Sequence, residues 1–471
     1  MRDRDARITR EQETLELLSS EAPGDLLRDT LAARGWDLRS WQPGSLHHRP
    51  GAGVTGVFPI EVAAPAAPGH RGGPRPTSAP GYACITSCTL REPGEEVRVF
   101  HRRDADTLFA WIHPADPLLP GLPLALDVGR ATMLAFGSST DPRDTVLDLR
   151  SYRPLRRAVV HVQNGEDRRY LKALRRNAAA PLAERHRLLQ EAGVPAPVLD
   201  GEPVQDVIAM RPATGRPLAE LLMSDGAAEV DPHALVRVLT SLPAAVMSLP
   251  VRAPWSARVL DYAEGAVAAL PSQADRIRRV AAGIDDAVRS TAAGPLVPTH
   301  GDFYEGNLLI RDGLVSGLLD VDALGPGRLV DDLACFLGHL AVLPGLHEGY
   351  TQVPEALLRF TDAFERHVDP AALRSRAAAV SLTLIAGARR RAAPGTGESG
   401  GTEAGTEAGT EAGTEAGTEA GTEAGTGPRA AFRTDAAPDE GLGEAGSRLA
   451  VAERFLSEAA ALGALPRGGA S

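Results

Sequence analysis

Lysine is almost absent from this chain of 471 residues. Lysine and arginine together number 50, and Lys172 is the one lysine among them. The chain also contains 49 glycines and 37 prolines, a skew typical of GC-rich bacterial coding. Such coding replaces lysine by arginine wherever any positive charge is sufficient. We therefore expect Lys172 to have a specific function.

Cysteines and long apolar runs are also scarce. Three cysteines in a chain of this length exclude a disulfide scaffold and favour a reducing cytoplasm. Cys84 and Cys88 lie four residues apart without a second pair of ligands, so we expect buried residues rather than a metal site. No run of about 18 apolar residues exists, and the polar residues 1–7 do not resemble a secretory signal. The composition thus predicts a cytoplasmic protein with no membrane partner.

The acidic net charge comes mostly from one low-complexity region. The formal net charge is −11, and seven glutamates lie between residues 394 and 427, where no arginine or lysine occurs. Six tandem Thr-Glu-Ala-Gly units run from Thr402 to Gly425 and cannot bury a core. We therefore predict a disordered insert at about 394–445 between two helices. An acidic balance also argues against binding to nucleic acid, which requires cations at the phosphates.

The first 140 residues have the pattern of a separate α+β domain. A helix is predicted at Arg10–Arg34, strands at Gly53–Val62, Gly81–Leu90 and Val97–Arg102, and a short helix at Asp104–Trp111. A stretch rich in proline and glycine, residues 64–80, interrupts this region. No motif in the region indicates a ligand, so its role stays open.

A second pattern begins near residue 145. Two β-runs, Arg157–Val162 and Arg169–Leu174, flank the dipeptide Asn164-Gly165, which favours a type I′ hairpin turn. A helix is predicted at Pro181–Ala192 and a strand at Val204–Met210. The chain beyond is mostly helical. This order of strand, hairpin, helix, strand and helical region is that of a two-lobed kinase-like fold.

The residues with the clearest chemistry lie in the segment Thr299–Ile310 and the strand after it. Asp302 follows a glycine, five residues ahead of Asn307, and Asp320 closes an apolar strand. An amide and a carboxylate from two sides of one hairpin suit Mg²⁺, which prefers oxygen ligands and substrate phosphates. A further carboxylate nearby can align a hydroxyl or accept its proton.

The spacing His300-Gly301-Asp302-x4-Asn307, then Asp320, then Asp332-Leu333-Ala334 resembles the aminoglycoside phosphotransferase and choline kinase superfamily. These are small-molecule kinases with the architecture of protein kinases, and the resemblance covers about residues 145–460. It implies an α+β, two-lobed protein-kinase-like fold preceded by the extra N-terminal domain. The predicted domains are residues 1–140, a small β-rich N-lobe at 141–215, and a helical C-lobe at 216–465 with its catalytic loop at 299–334.

The resemblance also implies roles for individual residues of the C-lobe. Asp302 would be the catalytic aspartate that orients and deprotonates the acceptor hydroxyl. Asn307 and Asp320 would hold Mg²⁺ against the nucleotide phosphates. His300 would shape the loop, and Asp332 would brace it from the start of the next helix.

In the N-lobe, the resemblance places nucleotide contacts at three positions. Lys172 would contact the α- and β-phosphates, and Glu184 on the next helix would pair with it. Met210, within residues 208–211, would approach the adenine. The segment 150–157 departs from the protein-kinase pattern because it contains no glycine, although its arginines could assist at the phosphates. Asp322 is either a second metal ligand or a loop residue.

The function implied is transfer of the γ-phosphate of ATP, with Mg²⁺, to a hydroxyl of a small polar molecule. A sugar or amino sugar is the first expectation for the acceptor, and an aminoglycoside-like antibiotic is the second. The alternative is a non-catalytic nucleotide-binding or regulatory protein that has kept the fold. A third possibility is that residues 1–140 carry the main function. The sequence does not indicate a protein partner.

Overall fold

The protein is described by a computed structural model that covers residues 2–49, 53–63, 79–102, 106–388 and 443–463. Most of the predicted insert at 394–445 and of the stretch at 64–80 lies outside these residues. The contacts divide the chain into two compact units. The first unit comprises Met1–Ala183 and Leu199–Arg211, and the second comprises Glu184–Val198 and Pro212–Ser471.

The first unit begins with two helices and an antiparallel sheet of six strands. The helices are α1 (Arg2–Leu18) and α2 (Pro23–Ala32), and the strands are β1 (Asp37–Trp41), β2 (Leu46–Arg49), β3 (Gly53–Ala63), β4 (Ala79–Thr86), β5 (Arg98–Phe100) and β6 (Leu108–Ile112). The strand order is β1-β3-β4-β6-β5, with β2 also paired to β3. Leu27 and Leu31 of α2 pack against Phe58 and Ile85 of the sheet in one apolar core.

Two of the helix predictions in this region are wrong. The single helix expected at Arg10–Arg34 is two helices, because Pro23 starts a new helix with the first-turn position that suits its missing N–H. The helix expected at Asp104–Trp111 is not formed in its described part, where the strand β6 begins at Leu108, and Asp104 and Ala105 lie outside the described residues. Alternate residues of β6 enter two different apolar clusters, one with Leu108 and the other with Trp111. A strand buried on both faces has an unbroken apolar run, which periodicity alone does not distinguish from a helix.

The first unit also contains a second, four-stranded antiparallel sheet in the order β10-β9-β8-β7. Its elements are α3 (Leu122–Ala125), α4 (Val128–Phe136), β7 (Thr145–Arg153), β8 (Arg157–Asn164), β9 (Asp167–Leu174) and β10 (Val207–Met210). The predicted hairpin is confirmed, since β8 pairs with β9 from Arg157↔Leu174 to Asn164↔Asp167. The type I′ turn expected at Asn164-Gly165 is wrong, because the two loop residues are Gly165 and Glu166 and only Gly165 has a positive φ. Gly165 in its turn has φ +58°, a conformation that glycine adopts without steric cost.

A buried polar network joins the first 140 residues to this second sheet. Asp116 accepts hydrogen bonds from the Tyr152 hydroxyl at 2.9 Å and from the backbone N–H of Leu155 at 2.7 Å. The indole of Trp111 donates to the Tyr152 oxygen at 3.2 Å. The side chain of Leu155 packs with Trp111 and Cys84. The turn between β7 and β8 is therefore part of the packing around the N-terminal sheet.

The second unit is mostly helical. Its helices are the larger part of α5 (Ala179–Glu191), then α6 (Leu218–Asp225), α7 (Pro232–Thr240), α8 (Val259–Ala269), α9 (Ala274–Ser290), α10 (Leu329–Leu346), α11 (Val353–Phe364), α12 (Pro370–Thr383) and α13 (Gly443–Gly463). Its strands are β11 (Arg216–Pro217), β12 (Val297–Thr299), β13 (Leu308–Arg311), β14 (Leu314–Leu318) and β15 (Gly325–Gly327). They form a three-stranded sheet, β11-β13-β14, and a two-stranded sheet, β12-β15.

Helix α10 lies in the core of the second unit. Among the described residues it is the one helix long and apolar enough to cross a membrane by length and composition, but 72% of it is buried inside the protein. Phe336 of α10 packs its ring against Phe360 and Phe364 of α11. The first turn of α10 carries Asp332 into the candidate site.

Candidate active site

The candidate site is built on the loop that follows β12. Gly301 has φ +80°, and a Cβ atom at this position would lie 2.7 Å from the carbonyl oxygen of Ala323. Only glycine fits here, because both the backbone conformation and the space exclude a side chain. This tight turn places the next residue, Asp302, in the interior with 1% of its surface exposed.

Asp332 holds this loop from the first turn of α10. One carboxylate oxygen accepts the backbone N–H of His300 at 2.8 Å, and the other accepts that of Gly301, also at 2.8 Å. Burial raises the pKa of Asp332 to about 7, against the opposite effect of these two hydrogen bonds. Asp332 therefore holds the backbone of the two residues that precede Asp302.

His300 connects this loop to the end of β14. Its Nδ1 accepts the backbone N–H of Asp302 at 3.3 Å, so its Nε2 carries the proton and donates to the carbonyl of Leu319 at 2.9 Å. Burial lowers the pKa of His300, which keeps the ring neutral near pH 7. Both ring nitrogens are thus engaged with the backbone.

Asn307 and Asp320 lie at the same end of the β13–β14 hairpin, directly before β13 and shortly after β14. The Asn307 side-chain amide donates to the Asp302 carbonyl at 2.9 Å and lies 3.4 Å from its carboxylate. The Asn307 carbonyl accepts the N–H of Leu319 at 2.8 Å, directly before Asp320. Asp320 has φ +52° and ψ +61°, a left-handed conformation that aspartate tolerates better than most residues.

The polar atoms here fit a hard divalent cation. The side-chain oxygen of Asn307 is fully buried and has no hydrogen-bond partner among the described residues. Within the described parts of the chain, no group of three or more His, Cys, Asp or Glu forms a metal cluster. Proteins commonly supply only one or two ligands to Mg²⁺, and the remaining ligands are water and phosphate oxygens. One amide and one carboxylate are therefore a sufficient set of protein ligands. Asn307 and Asp320 would hold the ion, which when bound would neutralise phosphate charge.

The predicted nucleotide-binding residues are divided between the units. Lys172 lies in the middle of β9, 4% exposed, in register with Val159 and Ile208. Met210 ends β10 and is also buried. Both belong to the first unit, whereas the cluster around Asp302 belongs to the second.

Glu184 lies on α5 and is half-exposed. It forms an ion pair with Arg187 on the next turn of the same helix at 3.1 Å. Its expected pairing with Lys172 stays a prediction. An exposed pair of this kind contributes little to stability.

The comparison with protein families identifies the region that contains this geometry. Residues 148–374 match the profile of the phosphotransferase enzyme family, APH. These residues belong to that family. The match covers Lys172 of the first unit as well as Asp302, Asn307 and Asp320 of the second. Among curated proteins, no sequence matches the chain.

Solved structures of phosphotransferases are similar to parts of this chain. An aminoglycoside-3′-phosphotransferase of type VIII has 22% identity and a TM-score of 0.35, over 51% of this chain and 92% of its own. The spectinomycin phosphotransferase APH(9)-Ia, in complex with ADP and spectinomycin, has 11% identity and a TM-score of 0.39, over 54% and 84%. Choline kinase from Cryptosporidium parvum Iowa II has 13% identity and a TM-score of 0.37, over 55% and 87%.

The candidate site contains two ionisable residues that sequence reasoning missed. Glu305, in the 3-10 turn Glu305–Asn307, is buried, and burial raises the pKa of its carboxyl to about 7. Arg185, next to Glu184 on α5, is buried and reaches the segment after Asp320. Neither position gave a periodic signal in the sequence, because burial of a single charge is decided by distant elements.

Proposed function

We propose that this phosphotransferase moves the γ-phosphate of ATP, with Mg²⁺, to a hydroxyl group of a small polar molecule in the bacterial cytoplasm. The observation that supports this most is the buried convergence of Asp302, Asn307 and Asp320 within the family-matched region. The free cysteines agree with a reducing compartment. A sugar or amino sugar is the first candidate acceptor, and an aminoglycoside-like antibiotic is the second.

The Asp302 carboxylate orients the acceptor hydroxyl and takes its proton as the hydroxyl oxygen attacks the γ-phosphorus. The bond from that phosphorus to the bridging oxygen breaks, and ADP leaves. Because little other covalent chemistry is needed, positioning and charge neutralisation supply most of the rate enhancement. Asp332 and His300 support this by holding the backbone on both sides of Gly301.

The test is phosphate transfer from radiolabelled ATP to a panel of sugars, amino sugars and aminoglycosides. For the acceptor that is labelled, Asp302→Asn should lower kcat by at least about a hundredfold, because a positioned base contributes that much. Asp312→Asn is the matched control: Asp312 is exposed in the turn of the same hairpin, and asparagine tolerates its left-handed backbone. An Asp302→Asn enzyme as fast as wild type would refute the assignment.

Two further measurements separate the non-catalytic alternative. A binding protein that has lost catalysis would neither be stabilised by ATP in a Mg²⁺-dependent manner nor hydrolyse ATP slowly without an acceptor. We expect both effects in the wild-type protein, measured by thermal shift and by ADP release. Labelling of aminoglycosides but of no sugar would reverse the order of the two acceptor classes.

A further inference from the structure

Arg185 is a buried arginine that the proposed chemistry does not use. It lies on α5 within the second unit, with 6% of its surface exposed. Its Nε donates to the carbonyl oxygen of Leu324 at 3.1 Å. Burial and the nearby charge of Arg252 lower the pKa of Arg185, whereas Asp322 opposes that effect. An arginine stays charged in proteins, so burying one requires compensating partners.

Leu324, which accepts from Arg185, lies in the segment that follows the expected metal ligand Asp320. Asp320 is followed by a 3-10 turn, Val321–Ala323, and then by Leu324. Before Asp320, the chain is held at Leu319, whose carbonyl accepts from His300 at 2.9 Å. After it, the contact from Arg185 is a side-chain anchor supplied by a helix 139 positions away in sequence.

The backbone of Asp320 makes such anchors necessary. A non-glycine residue in a left-handed conformation persists only where its surroundings hold it, since the strain costs of the order of 1–3 kcal/mol. Without the contact to Leu324, the turn after Asp320 would be free to relax toward an ordinary conformation. That relaxation would turn the carboxylate away from Asn307.

We propose that Arg185 is a positioning residue for the metal site: by holding the carbonyl of Leu324, it fixes the direction of the Asp320 carboxylate. This inference rests on the proposed function, in which Asp320 and Asn307 hold Mg²⁺ against the nucleotide. The planar guanidinium suits this role, because it presents several donors in a fixed geometry. Arg187, two residues later, is exposed and pairs with Glu184 instead.

The test measures ADP binding by titration calorimetry with and without Mg²⁺, on the full chain. In the wild type, Mg²⁺ should tighten ADP binding. In Arg185→Met this gain should fall by about tenfold or more, the usual effect of removing a partner behind a metal ligand, while metal-free ADP binding stays unchanged. Arg187→Met is the matched control from the same helix and should keep the full gain.

The outcomes distinguish this inference from the proposed function. If Mg²⁺ does not tighten ADP binding in the wild type, the proposed function fails, and this inference fails with it. If the wild type shows the gain and Arg185→Met keeps it, only the inference is overturned. Asp322→Asn should lose less than Arg185→Met, and a complete loss in Asp322→Asn alone would instead make Asp322 a ligand. Should Arg185→Met not fold, Arg185→Lys decides, and an undiminished gain there overturns the proposal.

Discussion

At the scale of single residues, this protein places charged groups where water is largely excluded. Asp302, Asp320, Asp332 and Lys172 are each at most 5% exposed. Burying a charge costs several kcal/mol unless hydrogen bonds or opposite charges compensate it. For Asp332, the compensation comes from two backbone N–H groups of the catalytic loop. Such buried charges contribute little net stability, which agrees with the binding and positioning roles proposed for them.

Lys172 is a buried lysine that we expect to contact the nucleotide phosphates. Lys172→Met should lower kcat/KM for ATP by about 10- to 100-fold, the effect of losing a hydrogen bond to a charged group. Lys172→Arg should also be impaired, because a planar guanidinium does not replace a compact ammonium. Steady-state kinetics against ATP measures both. A fully active Lys172→Arg enzyme would show that the one lysine is accidental.

His339 gives a prediction about pH. Its ring stacks on Tyr304 with centroids 4.3 Å apart, and burial together with the charge of Arg448 lowers its pKa to about 3. The unfolded chain binds a proton near pH 6.5 and the folded chain does not, so stability falls as the pH drops below 6.5. Between pH 7 and pH 5 this costs about 2 kcal/mol.

His339→Phe removes this titration and keeps a ring to stack on Tyr304. The variant should lose about 2 kcal/mol less than wild type between pH 7 and pH 5, as measured by guanidinium chloride unfolding at each pH. Parallel pH profiles for the two proteins would contradict the argument.

At the scale of elements, a buried arginine attaches helix α13 to the rest of the second unit. Helix α13 packs along α12, and Arg448 on it is 2% exposed. Its guanidinium donates to the Leu384 carbonyl and pairs with Glu444. This contact joins the two described segments on either side of residues 389–442.

Removal of Arg448 should therefore destabilise the second unit. Arg448→Ala leaves Glu444 and the Leu384 carbonyl without this partner, and we expect a loss of about 3 kcal/mol in the free energy of unfolding. Arg454→Ala is the control on the same helix, because Arg454 is 52% exposed and should contribute less than about 0.5 kcal/mol. Equal melting temperatures for the two variants would refute this role of Arg448.

Elements also show where sequence patterns suffice and where they do not. The β8–β9 hairpin was predicted because Asn164-Gly165 indicates a turn between two β-runs, although the turn itself lies one residue later, at Gly165-Glu166. The strand β6 was mistaken for a helix because both of its faces are buried, which only the surrounding layers determine. The prediction of one N-terminal helix overlooked Pro23, which favours the first turn of a new helix.

At the scale of the whole molecule, the two units defined by contacts between residues have other boundaries than the domains expected from composition. Residues of the first 140 pack with the sheet of β7–β10 in one unit, through Asp116, Tyr152 and Leu155. The predicted boundaries at residues 140 and 215 came from changes in composition and from the family resemblance. Composition does not report such packing, because a buried interface has the same apolar residues as a core.

The Thr-Glu-Ala-Gly repeats give a prediction at this scale. Deletion of Thr402–Gly425 should leave Mg²⁺-ADP affinity unchanged, because the repeats have no anchor for a ligand. Stability should change by less than about 1 kcal/mol, since loop-closure entropy varies slowly with length. Calorimetry and thermal melting of the deletion variant measure the two quantities. A large loss of affinity would show that the repeats contribute to the site.

The sequence by itself determined the chemistry that lies in one contiguous motif. His300, Asp302, Asn307 and Asp320 fall within 21 residues, so the motif predicted a Mg²⁺ site and carried the resemblance that implied phosphotransfer. The tertiary structure decided what holds these residues in place. Arg185 reaches the segment after Asp320 from a distant helix, and Glu305 is buried by elements that the loop alone does not specify. Burial and long-range contacts depend on the packing of the whole unit, which no local pattern encodes.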